Sequence, residues 1–500
     1  MIPMALHRFL RFPPAASCFP SAILLALALC LGMPSRECAA SEFEVIKYFT
    51  TEDGAHPFSE LVQGSDDALY GTTVTGNNET DHDTIFKINP DGSGFTVLKN
   101  FDSSTTGANC WGGLLLGSDG ALYGTTYYGG TGSVGTVFKM NEDGTGYTVL
   151  KNFDATTTGG ASYARLLEVD NVLYGTTYVG GNGNAGTIFK LNMDGSGFAV
   201  LKHFDNSTTG GHPAAALVLG PDGGLYGTAY HGGSFLFGTI FALKTNGSAF
   251  GVLKHLNAST TGAYPNARLL SGTDGALYGS GTEGGSFDAG TLFTLAPNGT
   301  GFTVLKSLNT FPEGAIPTAG LIQGSDGKLY GTTLRGGTHD WGTVFEMNPD
   351  GTGYRVLKRF DYSTTGGVLF GGLFQDSEGA LYGAAAYGGD DEFGTLFRLV
   401  PGPNEAPTAV ATADHAEVVI PDLVTFDGSA STDPDGDELT YAWILIDIPV
   451  ESGAELTDPN TAHPTLQPDT PGDYKVELTV TDSLGAQSSP AAVTITATDR

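Results

Sequence analysis

Acid–base chemistry needs a histidine or carboxylate beside the proton it moves. His339 is followed by Asp340, and His212 and His231 stand in other variable segments, so these side chains could assist cleavage of a polysaccharide. Gly-x-Ser-x-Gly elbows, His-Glu-x-x-His pairs and phosphate-binding glycine loops do not occur, which leaves elbow-serine, zincin and P-loop chemistry without a motif. Aromatic side chains offer a different chemistry, stacking on sugar rings or on a protein partner. The candidates for it are Phe58, Trp111, Tyr163 and Phe370, with Tyr127, Tyr128, Arg335, His339 and Trp341. Oxygen ligands for a hard cation such as Ca2+ gather in two segments, Asp81 and Asp83 beside Glu79 and His82, and Asp390 and Asp391 beside Glu392. The run at residues 192–197, Asn-x-Asp-Gly-Ser-Gly, lacks the alternating acids and distal Glu of a calcium loop and reads as a hairpin turn.

These residues can act together only if the chain returns to one place many times, and its repeats make it do so. Leu-Tyr-Gly recurs with its tyrosine at Tyr70, Tyr123, Tyr174, Tyr226, Tyr278, Tyr330 and Tyr382, at spacings of 53, 51, 52, 52, 52 and 52. Within the second period the alternation predicts four short strands at residues 111–116, 121–127, 135–140 and 147–153, with Asp-Gly turns between the first two and the last two. Four antiparallel strands per repeat make one blade of a β-propeller. The last period lacks its fourth strand, whereas residues 43–49 (Phe-Glu-Val-Ile-Lys-Tyr-Phe) match residues 147–153 (Tyr-Thr-Val-Leu-Lys-Asn-Phe) position by position. We therefore expect an all-β fold, a seven-bladed propeller over residues 41–400 closed by its N-terminal strand, because closure removes an edge that would invite aggregation.

A residue found in every repeat serves the repeat, and one that differs is free to serve a ligand. Lys47, Lys99, Lys151, Lys202, Lys254, Lys306 and Lys358 recur on the outermost strand, where lysine discourages edge pairing. Gly112, Ala164, Ala215, Ala267, Ala319 and Gly371 are small where inner strands begin. Phe58, Trp111, Tyr163 and Phe370 head inner strands that carry Ala214, Asn266 and Thr318 in the other repeats, giving a contiguous aromatic arc over repeats seven, one, two and three. The same closure sets the Asp81–Asp83 segment beside Asp390 and Asp391.

Composition fixes the setting. The formal net charge of −31 repels nucleic acid and anionic lipid while favouring cations. Arg8 and Arg11, an apolar run at 21–33, and Cys38-Ala39-Ala40 read as a secretory signal over residues 1–40. Cys110 then stands alone in the mature chain, so no internal disulfide forms and packing must supply the stability. We expect a monomer without a membrane span, secreted, periplasmic or on the cell surface.

The motifs Asp-Gly-x-Leu-Tyr-Gly-Thr-Thr, Gly-Thr-Val-Phe-Lys and Val-Leu-Lys-x-Phe over residues 42–400 resemble the bacterial GloVer tandem repeats, the "choice-of-anchor" proteins. After a Pro401-Gly402-Pro403 linker, residues 404–500 change texture. The segments Val-Thr-Phe-Asp-Gly-Ser-Ala-Ser-Thr-Asp-Pro-Asp-Gly-Asp at 424–437, Tyr441-Ala442-Trp443, and Gly-Asp-Tyr-Lys-Val-Glu-Leu-Thr-Val-Thr-Asp at 472–482 resemble a PKD domain. That resemblance implies an immunoglobulin-like β-sandwich with Trp443 in its core, acting as a spacer or adhesion module. It also implies Ca2+ ligands at Asn404, Ser431, Asp433 and Asp482. The stretch after Trp443 departs from the family, reading Ile444-Leu445-Ile446-Asp447. The function expected from all this is an exported binding protein for an extracellular polysaccharide or protein. A polysaccharide lyase or hydrolase on the same face, or a structural surface protein, are the alternatives.

Overall fold

Short runs of β-branched and aromatic residues, each ended by Asp-Gly or Gly-Gly, cannot extend into helices, and the computed structural model is all-β. It describes residues 41–74, 83–311, 313–434, 439–482 and 484–499, and contains no helix among them. The expected signal at 1–40 and Glu79, Asp81 and His82 lie outside the described residues. Between residues 42 and 400 the chain forms seven antiparallel four-stranded sheets with the same internal order. Sheet one consists of Val62–Gln63, Leu69–Thr73, Thr84–Ile88 and Thr96–Asn100.

Sheet seven takes its first three strands from Phe374–Gln375, Leu381–Ala385 and Thr395–Val400, and its fourth from Glu42–Tyr48. The register of that pairing repeats the others. Val45 faces Phe397 and Lys47 faces Leu396, with Ile46 bulged between them. In sheet three Val200 faces Phe189 and Lys202 faces Ile188, with the same bulge.

Each sheet buries its faces against its neighbours in chain order, and the last packs on the first. Ile46, Ala384 and Leu396 of sheet seven share one apolar cluster with Leu61, Leu69 and Phe86 of sheet one. The repeat signature explains itself in this packing. The glycine of Leu-Tyr-Gly lies under a phenylalanine ring, and a Cβ at Gly124 would sit 2.4 Å from Phe138 Cζ. The tyrosine hydroxyl donates back to the turn aspartate, as from Tyr123 to Asp119 at 2.8 Å and from Tyr226 to Asp222 at 2.8 Å.

Two expectations are corrected. The inner strand of the second repeat is regular only over Leu115–Leu116 rather than 111–116, because the segments before it converge too tightly for a ladder. A Cβ on Gly112 would lie 2.4 Å from the Ala164 carbonyl carbon. The next strand, Ala121–Thr125, stops short of Tyr127, whose N–H leaves the sheet to donate to Asn109 O at 3.0 Å.

The recurrent lysines also do more than guard an edge. Each ammonium sits over the aromatic ring that opens the outer strand of the next sheet, from Lys47 over Phe95 at 4.4 Å through Lys202 over Phe250 at 4.4 Å to Lys358 over Phe43 at 4.1 Å. All seven take part, so the contacts tie consecutive sheets at the rim. A double-mutant cycle of Lys202→Ala with Phe250→Leu, read by urea unfolding, should give a coupling energy of about 0.5–1 kcal/mol. Additive losses would deny the contact an energetic role.

The C-terminal region is a two-sheet sandwich. One sheet orders Glu417–Val419, Ala491–Thr498, Gly472–Thr481 and Thr440–Asp447, and the other is built from Thr412–Ala413, Val424–Asp427, Thr465–Leu466 and Leu456–Thr457. Trp443 is buried between them against Phe426, its Nε1 donating to Thr461 O at 3.0 Å.

Candidate functional site: a central aromatic cavity

The inner segments of the seven sheets read alike at two positions and differently at two others. The fourth position is leucine throughout, and all seven leucines (Leu61, Leu114, Leu166, Leu217, Leu269, Leu321, Leu373) are buried. The second position is small, as close backbone approach demands. The first position carries Phe58, Trp111, Tyr163, Ala214, Asn266, Thr318 and Phe370, and with Tyr178 these seven residues line one cavity of about 120 Å³.

Two residues upstream the backbone is left-handed in every repeat, at His56, Asn109, Ala161, His212, Tyr264, Ile316 and Val368. For β-branched Ile316 and Val368 that conformation costs on the order of 1–2 kcal/mol each. It is held because each N–H donates to the loop of the preceding sheet, as from His212 to Ala185 O at 2.7 Å and from Val368 to Trp341 O at 2.9 Å. In sheet one the acceptor is a side chain. Asp83 stands where the other repeats have glycine, is buried, and receives the Asn109 N–H.

The structure gathers one subset of the candidates and separates another. Phe58 touches Trp111 at 4.5 Å and Phe370 at 4.8 Å between ring centroids. Trp111 reaches Tyr163 at 6.4 Å, and Tyr163 meets Tyr127 at 4.7 Å, with Tyr128 stacked edge-on against Tyr127 at 4.3 Å. The chain of rings runs beyond the predicted arc, from Tyr163 to Tyr178, His212, His231 and Tyr264. Arg335, His339 and Trp341 do not line the cavity. They form a separate group on sheet six, with the Arg335 guanidinium 5.7 Å from the Trp341 ring and Trp341 against Tyr362 at 4.5 Å. His339 is exposed and faces Asp361 at 3.8 Å. His212 Nδ1 lies 2.9 Å from Tyr178 O, and burial lowers its pKa.

The third position of the inner segments holds residues the sequence reading passed over. Glycine or alanine fills it in four sheets, but sheets one, three and five carry Glu60, Arg165 and Arg268. The three meet across the centre, with Arg165 Nη1 3.3 Å and Arg268 Nη2 3.2 Å from the same oxygen, Glu60 Oε1, and Arg268 Nε 3.4 Å from Oε2. They line a second cavity of about 100 Å³ bounded by the same first-position residues. The signal was available, since a charge every second repeat in an otherwise small-residue column breaks the pattern.

Burial opposes ionisation of Glu60, but Arg268 and Arg165 outweigh it and hold its pKa below the ordinary value of 4.5. A carboxyl with a depressed folded-state pKa adds stability above its unfolded pKa and loses it as pH falls through the folded one. The stability gap between the wild type and Glu60→Gln should therefore be full at pH 7 and shrink as pH drops below about 4.5, the unfolded value. A gap independent of pH would show that the Arg–Glu contact does not govern that titration.

The proposed ion ligands are placed differently. Asp83 is turned toward sheet two as described, whereas Asp390 and Asp391 are exposed. In the sandwich Asn404 Nδ2 donates to Asp482 Oδ2 at 2.7 Å. Asp482 Oδ1 accepts the N–H groups of Leu484 and Ala486, both at 2.9 Å. Ser431 Oγ accepts from Val410 N at 3.0 Å, and Asp433 precedes the undescribed residues 435–438. Among the described residues no group of three or more His, Cys, Asp or Glu side chains is arranged to hold a metal ion.

Comparison with known proteins places this architecture. The model of the Gloeobacter/Verrucomicrobia repeat matches residues 35–235 and 214–432, and a PKD-domain model matches residues 404–497. Curated proteins give no sequence match. Among solved structures, one described as the extracellular domain of a hybrid two-component system from B. thetaiotaomicron is similar at a TM-score of 0.58 and 12% identity. The match covers 92% of this chain but 58% of that one. The β-propeller domain of the Trilobed protease from Pyrococcus furiosus is matched at a TM-score of 0.41 and 11% identity, over 69% of this chain and 94% of that one. At 12% identity the likeness to the first of these is one of fold.

Proposed function

The chain belongs to the Gloeobacter/Verrucomicrobia repeat family, and from that premise we propose that it is an exported binding protein whose central aromatic cavity receives a carbohydrate or a protein segment. In this reading the seven sheets are the blades of a propeller, and strand Glu42–Tyr48 closes the ring. The PKD domain serves as a spacer or adhesion module. One observation carries the proposal. The leading residues of all seven inner segments converge on a single cavity, and the aromatic ones sit together on one side of it.

Export is supported by the leader-like residues 1–40. No helix among the described residues is long and apolar enough to cross a membrane. The rival reading, a lyase or hydrolase, needs an acid–base pair at the cavity. His339, its first candidate, faces Asp361 outside the lining.

Screening the mature protein on a glycan array, followed by calorimetry of each hit, tests the proposal. Trp111→Ala should weaken binding by about 30-fold or more, as at an aromatic hot spot, while leaving the melting transition in place. Unchanged affinity in Trp111→Ala and Tyr163→Ala, or new reducing ends produced from a bound glycan, would overturn it.

A further inference from the structure

The central cavity is not electrically neutral, although the chain carries a net charge of −31. Two guanidinium groups, Arg165 and Arg268, face one carboxylate, Glu60, and all three line the same space. Their contacts of 3.2–3.4 Å are longer than the 2.7–2.9 Å of a tight charge-assisted bond, so the carboxylate is shared rather than committed to either partner. Neighbouring positions are cut to fit them, because a Cβ on Gly320 would lie 2.5 Å from Arg268 Cγ.

Three side chains that line the same cavity carry a buried polar atom with no hydrogen-bond partner, namely Arg165 Nε, Trp111 Nε1 and Thr318 Oγ1. Two of these, the guanidinium and indole nitrogens, can only donate, and the threonine hydroxyl can do so as well. Burying such groups without acceptors is costly. A cavity with a surplus positive charge, unpaired donors and an aromatic wall asks for a ligand that brings acceptors, a negative charge and a ring face.

Resting on the binding role proposed above, we propose that the central cavity recognises an acidic sugar, with the carboxylate of a uronic acid residue set against Arg165 and Arg268 and its ring against the Phe58–Trp111–Tyr163 wall. The surrounding acidic surface opposes a long polyanion, so the preferred ligand is a short acidic oligosaccharide. Glu60 then acts as the built-in competitor that holds the two arginines in place until the ligand carboxylate arrives.

Calorimetry of the mature protein with trigalacturonate, its fully methyl-esterified form, a neutral galactose trisaccharide and acetate tests this assignment. The ester keeps the shape and removes the charge, so the wild type alone gives a readout. We expect the free acid to bind about tenfold or more tightly than the ester, the worth of one charge-assisted contact. Arg268→Gln should erase that preference and Glu60→Gln, which removes the competitor, should enlarge it. Equal binding of acid and ester by the wild type, with Trp111→Ala still damaging, would overturn the acidic-sugar assignment and leave the binding role standing. Acetate binding as tightly as the trisaccharide acid would overturn the sugar part. Failure of every saccharide to bind, with Trp111→Ala without effect on any array hit, would overturn both.

Discussion

A chain that begins at residue 51 should fail to show one cooperative unfolding transition. The missing segment supplies the whole fourth strand of sheet seven, with its backbone pairing to Thr395–Val400. It also supplies Ile46 and Phe49 to the cluster shared by sheets seven and one. Phe43 packs on Phe360 and Phe397 at 5.7 Å each and carries the Lys358 ammonium. Removing two buried side chains alone costs about 3–6 kcal/mol by area, and the exposed strand edge adds to it. That is comparable to the total stability of an ordinary domain. Calorimetry should show a broadened or absent transition, and a synthetic peptide of residues 41–51 should restore it. A truncated protein that melts as the full chain does would refute the structural role of this strand.

The second large effect is expected at sheet six. In most other sheets the position of Glu346 carries a lysine or arginine, and that of Arg355 a threonine or small residue, so this sheet alone inverts the charge and adds a buried partner. Glu346 and Arg355 are 2% and 1% exposed and meet at 3.1 Å, and Lys328 approaches the same carboxylate at 2.6 Å. Arg355 Nη2 also donates to Gly402 O at 2.6 Å, in the linker to the sandwich. Replacing Glu346 with alanine leaves Arg355 buried without its carboxylate, and loss of one partner from such a pair costs about 3–5 kcal/mol. Urea unfolding should register that loss, whereas Glu346→Leu with Arg355→Leu should recover most of it. Proteolysis should cut near residues 401–403 faster in the double variant, which lacks the Arg355 donor to Gly402 O, than in the single one. An alanine variant as stable as the wild type would show that the pair is not needed.

Much of this was legible in the sequence. The all-β class, the repeat family and the PKD domain follow from Leu-Tyr-Gly spacing, Asp-Gly turns and the run around Trp443, because local turn chemistry and strand alternation decide them. The first-position residues could be singled out because they differ between repeats. What could not be read is how side chains from distant repeats meet. Lys202 and Phe250 lie 48 residues apart in sequence, and only the stagger of neighbouring sheets brings them together. Glu60 and Arg268 are 208 residues apart, and no local pattern pairs them. Asp83 looked like an ion ligand because its neighbours are acidic, but its position in the repeat is that of a glycine whose preceding carbonyl it replaces.

The pairing of Glu42–Tyr48 with Thr395–Val400 has a further consequence, for how molecules meet one another. Its partners are separated by some 350 residues, against 9 to 16 for the same pairing in sheet three, and joining the longer loop costs about 3 kcal/mol more in chain entropy. Of the pairings within the seven sheets this one joins the longest stretch of chain. At high protein concentration the first strand of one molecule competes with that of another for the same vacant edge. Strand exchange at the seam would join molecules into reciprocal dimers or open chains with every contact inside each sheet unchanged.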